Sequence, residues 1–158
     1  MSAGERSYDQ FQLKDLTYLY DLAVEDLNSF IERNPRHRSL RDRVLLVTLC
    51  QGAALHFFDG RTGVKDFDVW TFFLNELGKP VYPTRRRGVD DFTGEQFRES
   101  ERRVDFMGRT LKADVGTDPI DAVQTYLRSG ATKTSYCLAQ KAVVVLSPGL
   151  RGKVIWPA

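Results

Sequence analysis

Lys65-Asp66-Phe67-Asp68-Val69-Trp70-Thr71-Phe72-Phe73 is the stretch on which the fold turns. It is dense in aromatic and β-branched residues and opens with strict alternation, which suits a strand and not a helix. Asp66 and Asp68 then share one face, with Phe67 and Val69 on the other. Two aspartates so placed stand roughly 6 to 7 Å apart, twice the rise of a strand.

Upstream, Val44 to Cys50 is short, apolar on both faces and rich in β-branched residues, as a buried central strand is. Gln51-Gly52-Ala53-Ala54 ends it. Ala53 to Phe58 reads as a short helix, and Asp59-Gly60 starts a loop that runs through Gly63. Downstream, Pro80 and Pro83 mark loops, with Val81 to Arg87 fitting a short edge hairpin. Glu101 to Leu111 reads as another strand, in which Asp105 faces opposite to Val104 and Phe106 and supplies a third carboxylate.

The flanks are helical. From Tyr8 to Arg33 apolar residues recur at helical spacing until Asn34-Pro35 breaks the run, and a basic connector, Arg36 to Arg43, follows. Asp118 caps a helix that begins with Pro119 and runs to about Arg128. A last helix, Thr134 to Leu146, carries Lys141 and ends at Pro148-Gly149. Residues 150 to 158 form a tail packed through Val154, Ile155 and Trp156. The expectation is one α/β (α+β) domain over 1–158, with an N-terminal helix (1–35), a core mixed sheet of three to five strands (44–111) and C-terminal helices (118–147).

Composition narrows the function classes. A chain of 158 residues with 42% apolar content can bury a core without disulfides or structural metal. Its 23 basic and 21 acidic residues argue against a dedicated nucleic-acid scaffold, although arginines cluster at 36–43, 85–87 and 102–103. No stretch nears a membrane span and no leader pattern opens the chain, which points to a cytoplasmic protein without a membrane partner. Cys50 and Cys137 read as core residues in a reducing compartment, and two cysteines with two distant histidines make no zinc pattern. His56 reads as a packing residue and His37 as a loop residue.

Carboxylates so placed suit a hard divalent cation, since magnesium is usually held by one or two carboxylates together with substrate phosphates. Gly52, between a strand and a helix, lets bare backbone and helix-start amides approach phosphate oxygens. Lys141 is a further phosphate contact.

These residues resemble the nucleotidyltransferase superfamily of DNA polymerase beta-like fold. Its pattern is an apolar residue, then glycine with serine or glycine, about a dozen residues, then Asp-x-Asp or Asp-x-Glu between apolar neighbours. Here that reads Cys50-Gln51-Gly52-Ala53 through to Asp66-Phe67-Asp68-Val69. Gln51 to Leu55 and Arg61 to Asp68 look especially like bacterial abortive-infection and minimal-nucleotidyltransferase proteins of toxin–antitoxin type. The resemblance covers roughly residues 44 to 111. It implies that Asp66, Asp68 and Asp105 bind Mg2+ or Mn2+ and are catalytic, and that Gly52 begins a phosphate loop with Ala53 and Lys65 beside it. The implied reaction moves a nucleoside monophosphate from an NTP to a hydroxyl of RNA, a protein or a small molecule, with a toxin or antitoxin protein as partner.

One departure is that Gly52-Ala53 stands where many members have Gly-Ser or Gly-Gly, which removes a hydroxyl. That difference favours the alternative, a catalytically inactive binding or antitoxin-like module of the same fold. Metal-dependent phosphoester hydrolysis ranks third, because no histidine ligands lie near the motif.

Overall fold

The structure, a computed structural model, describes residues 12–61, 66–83, 88–92 and 102–158. Helix α1, Leu13–Arg33, is opened by a capping box in which the Gln12 backbone N–H donates to the Asp15 carboxylate at 2.8 Å. The expected start at Tyr8 lies outside the described residues. Leu16, Leu19, Leu22, Ala23, Phe30 and Ile31 form its buried stripe. The helix closes as expected before Pro35, with the Asn34 N–H donating to the carbonyl of Phe30 at 2.9 Å.

The basic connector is itself ordered, as a 3-10 helix over Pro35–Arg43. Buried Leu40, His37 and Arg43 anchor it. His37 is therefore no simple loop residue, and its ring lies against Phe30 at 5.2 Å.

Strand β1, Val44–Cys50, has the expected bounds, and α2, Gln51–Asp59, follows without a break. Next come β2 (Phe67–Leu74), β3 (Gly88–Phe92), β4 (Arg102–Leu111), α3 (Pro119–Ser129), α4 (Lys133–Leu138), β5 (Ala142–Val145) and β6 (Val154–Trp156). Asp66 thus immediately precedes β2 instead of lying within it. Asp118 caps α3 through its carboxylate, which accepts from the Asp121 N–H at 3.1 Å.

Among the described residues all the strands join one mixed sheet in the order β3-β4-β2-β1-β5-β6, parallel between β2 and β4 and antiparallel elsewhere. The expected mixed sheet flanked by helices is present, with the three-residue β6 as a sixth strand at its edge. One face carries α1 and α2 over Val47, Leu49, Phe67, Val69, Val104 and Phe106. The other carries α3 and α4 over Leu46, Phe72, Val143, Val145 and Ile155.

Three expectations are corrected. The last helix does not run from Thr134 to Leu146: α4 stops at Leu138, and Ala142–Val145 is a strand. A run of three valines resists the helix, and here every residue from Ala142 to Leu146 is fully buried beside β1 and β6. The tail is in part β6, so the sheet draws on residues well beyond 111. Residues 81–83 belong to no strand; 84–87 lie outside the described residues, and the edge strand beside β4 is β3.

Cys50 is buried as expected, whereas Cys137 is exposed on the short α4. His56 is buried within α2. Among the described residues, no helix is long and apolar enough to cross a membrane.

Gly108, in β4, has no room for a side chain. Tyr82 is buried, stacks on Phe73 at 5.1 Å, and donates its backbone N–H to the Thr110 hydroxyl at 2.9 Å. A Cβ at position 108 would lie 2.7 Å from the Tyr82 ring and 3.0 Å from that of Phe73. Gly108→Ala is expected to lower the unfolding free energy by about 1 to 3 kcal/mol in urea denaturation, the usual range for overpacking. An unchanged midpoint would show that Tyr82 does not pack there.

Candidate active site

The geometry of the site follows from strand register. Antiparallel pairing sets Cys50, at the end of β1, opposite Asp68, near the start of β2. Parallel pairing sets Asp68 level with Asp105 and Trp70 level with Met107. Neighbouring strands run about 4.8 Å apart, so Asp68 and Asp105 stand side by side on the α3 and α4 face of the sheet. Alternation carries Asp66 onto that face as well.

A pocket of about 350 Å3 opens here, lined by Gln51, Gly52, Asp66, Asp68, Trp70, Met107 and Lys141. Four of the expected site residues, Gly52, Asp66, Asp68 and Lys141, therefore meet in one cavity. Lys141 reaches it from the turn before β5 and not from a helix, because a bridge between Gln51 and Ala142 brings that turn to the pocket.

Asp105 lies beside the pocket, almost fully buried, and one carboxylate oxygen accepts from the Arg103 Nε at 2.8 Å. Among the described residues no three or more His, Cys, Asp or Glu side chains converge as a metal-holding group. The three aspartates share a face without closing a cage. What the pocket does offer is two half-buried oxygen donors, Asp66 and Asp68, beside an open glycine. That donor set suits a hard cation whose remaining ligands are phosphate oxygens and water.

Gly52 and Ala53 play opposite parts. A Cβ on Gly52 would meet nothing within 4 Å, so no packing demands glycine there; its effect is to leave the pocket wall bare. Ala53 is fully buried in the core with Leu49 and Phe67, away from the pocket lining. Lys65 lies outside the described residues.

Cys50 adjoins Asp68 but does not compete as a nucleophile. Burial pushes its thiol up to about 12, the Thr48 hydroxyl 3.4 Å away pulls the other way, and the charge of Asp68 adds to the rise. At neutral pH the group is a thiol.

Sequence reasoning passed over Gln51, Trp70 and Met107. The last two were within its reach, since period-two alternation from Asp68 and Asp105 leads directly to them. Gln51 is marked instead by its backbone, with φ of 62°, the only positive value at a non-glycine among the described residues.

Comparison of the chain with protein-family models, with curated proteins and with solved structures returned no match.

The left-handed region costs a residue with a Cβ about 1 to 2 kcal/mol, and a glycine occupies it freely. Gln51→Gly is expected to raise the unfolding free energy by about 0.5 to 1 kcal/mol, after allowance for the greater freedom of glycine in the unfolded chain. A fall in urea denaturation would contradict the left-handed junction.

Proposed function

We propose that the chain is a metal-dependent nucleotidyltransferase that moves a nucleoside monophosphate from an NTP to an acceptor hydroxyl. The observation that carries this reading is the pocket in which Asp66 and Asp68 meet the bare backbone of Gly52, with Asp105 in register beside Asp68. Carboxylates alone serve many purposes, but carboxylates opposite an open glycine at the start of a helix form a place for a charged phosphate chain.

In this reading the Gly52 backbone and the first amides of α2 hold the triphosphate. Lys141 neutralises part of its charge at the mouth. Trp70 and Met107 give the cavity an apolar wall. Asp66 and Asp68 would hold Mg2+ or Mn2+, which supplies charge stabilisation to the reacting phosphate. The acceptor oxygen attacks the α-phosphorus, the bond from that phosphorus to the bridging oxygen breaks, and pyrophosphate leaves with the electron pair. Asp105 is the neighbouring carboxylate that takes the acceptor proton.

The departure at Gly52-Ala53 from the superfamily pattern bears on the fold more than on the pocket. Gln51 has the left-handed backbone natural to a glycine, and Gly52 has the open side. The loss of a hydroxyl at the buried Ala53 has little bearing on the pocket.

The second reading is a catalytically inactive binding module of the same fold, favoured by the Arg103–Asp105 ion pair, which occupies an oxygen that the reaction would use. Incubation with each labelled NTP, magnesium or manganese, and total cellular RNA or protein separates the two. Wild type is expected to label an acceptor. Asp66→Ala and Asp68→Ala are expected to lose at least about 100-fold in rate while keeping a native circular dichroism spectrum, as removal of several kcal/mol of transition-state stabilisation requires. No labelled product with any acceptor would favour the binding module.

A further inference from the structure

The pocket makes no use of the basic 3-10 helix. A second cavity, of about 380 Å3, separates that helix from the turn at the end of β2, and Pro35, Arg36, Arg38, Ser39, Gly78, Lys79 and Pro80 line it. Among the described residues three exposed cations and no acid line this cleft; Glu32, Asp42 and Glu76, the nearest acids in sequence, are not part of its lining.

Its walls are tied together from beneath. Arg43 is only 4% exposed, and its guanidinium donates to the Ser39 hydroxyl at 3.3 Å on one wall, to the Pro80 carbonyl on the other, and to the Leu74 carbonyl at 3.1 Å. A buried cross-link of this kind sets the width of the cleft before any ligand arrives, which lowers the ordering cost of binding. The concentration of positive charge is also felt by buried His37, which is held below the ordinary imidazole range by burial first and then by Arg36 and Arg43.

We propose that this cleft binds the phosphates of an RNA strand. Separated guanidinium and ammonium groups around a concave surface match phosphates spaced along a backbone. The location narrows the ligand further. The 3-10 helix enters β1 at Val44, and Gln51 and Gly52 leave it after Cys50, so the cleft and the catalytic pocket lie at opposite ends of a seven-residue strand. That is about 20 Å at the usual rise of a strand. In the transferase reading the acceptor presents a hydroxyl at the pocket, and an RNA strand that spans this distance would lay its phosphates in the cleft. The choice of RNA rests on the transferase reading; the cationic cleft does not.

The test is fluorescence anisotropy with a labelled single-stranded RNA of mixed sequence, without NTP or metal, across a series of salt concentrations. Wild type is expected to bind with strong salt dependence. The combined variant Arg36→Gln, Arg38→Gln, Lys79→Gln is expected to lose about tenfold or more in affinity and to flatten the log–log salt slope by about 2, the share of three phosphate contacts on a single strand. Arg41→Gln, whose guanidinium is held by the Asn28 side chain at 3.0 and 3.2 Å, is the control and keeps the wild-type slope. RNA binding that survives in Asp68→Ala supports the cleft even if no transfer is found, which keeps the two readings separable. An unchanged slope in the combined variant, no RNA binding by wild type, or preferential binding to phosphatidylserine vesicles would overturn the proposal.

Discussion

The parallel pairing of β2 with β4 is the constraint on which the rest of the site depends. It joins strands that are distant in sequence and sets Asp68 level with Asp105. The register is held from the opposite face, where Phe67 and Val69 pair with Val104 and Phe106 in the core beneath α1 and α2. A slip of one residue would drive carboxylates into that core and phenylalanines into the pocket. The hydrophobic face therefore specifies the polar one, and the aspartates are aligned by packing on the opposite side of the sheet.

The second support of the site is the end of β1. Flanked by β2 and β5, the strand delivers Cys50 between Asp68 and Val143 and then turns at once into α2. That abrupt turn needs a left-handed residue, and Gln51 takes the position at an energetic cost. Gly52 follows with its open side toward the pocket, while Ala53 and Ala54 return to the core. Strain, bare backbone and buried anchors occupy four consecutive residues, an arrangement common where a loop must present its amides to a ligand.

Much of this was legible in the sequence because it depends on local pattern. The bounds of β1, the cap of α3 and the shared face of Asp66 and Asp68 follow from β-branched runs, a capping aspartate and alternation. The stretch from 134 to 146 was misread because Ala142 to Leu146 can be placed as helix or strand by composition, and pairing with β1 and β6 decides the matter. Lys141 was placed on a helix that in fact stops at Leu138, yet it lines the pocket from the turn before β5. The buried role of Arg43 was hidden in a run of exposed basic residues, since no local signal distinguishes the one guanidinium that caps three groups from its neighbours.

The central claim is that Asp66, Asp68 and Gly52 together form a site for a cation and a triphosphate. A crystal structure of the protein grown with Mn2+ and a non-hydrolysable NTP analogue tests it most directly, through the anomalous signal of manganese. The account predicts a manganese peak between the carboxylates of Asp66 and Asp68, with the triphosphate against the backbone of Gly52. A peak elsewhere on the molecule, or an analogue bound away from Gly52, would contradict it.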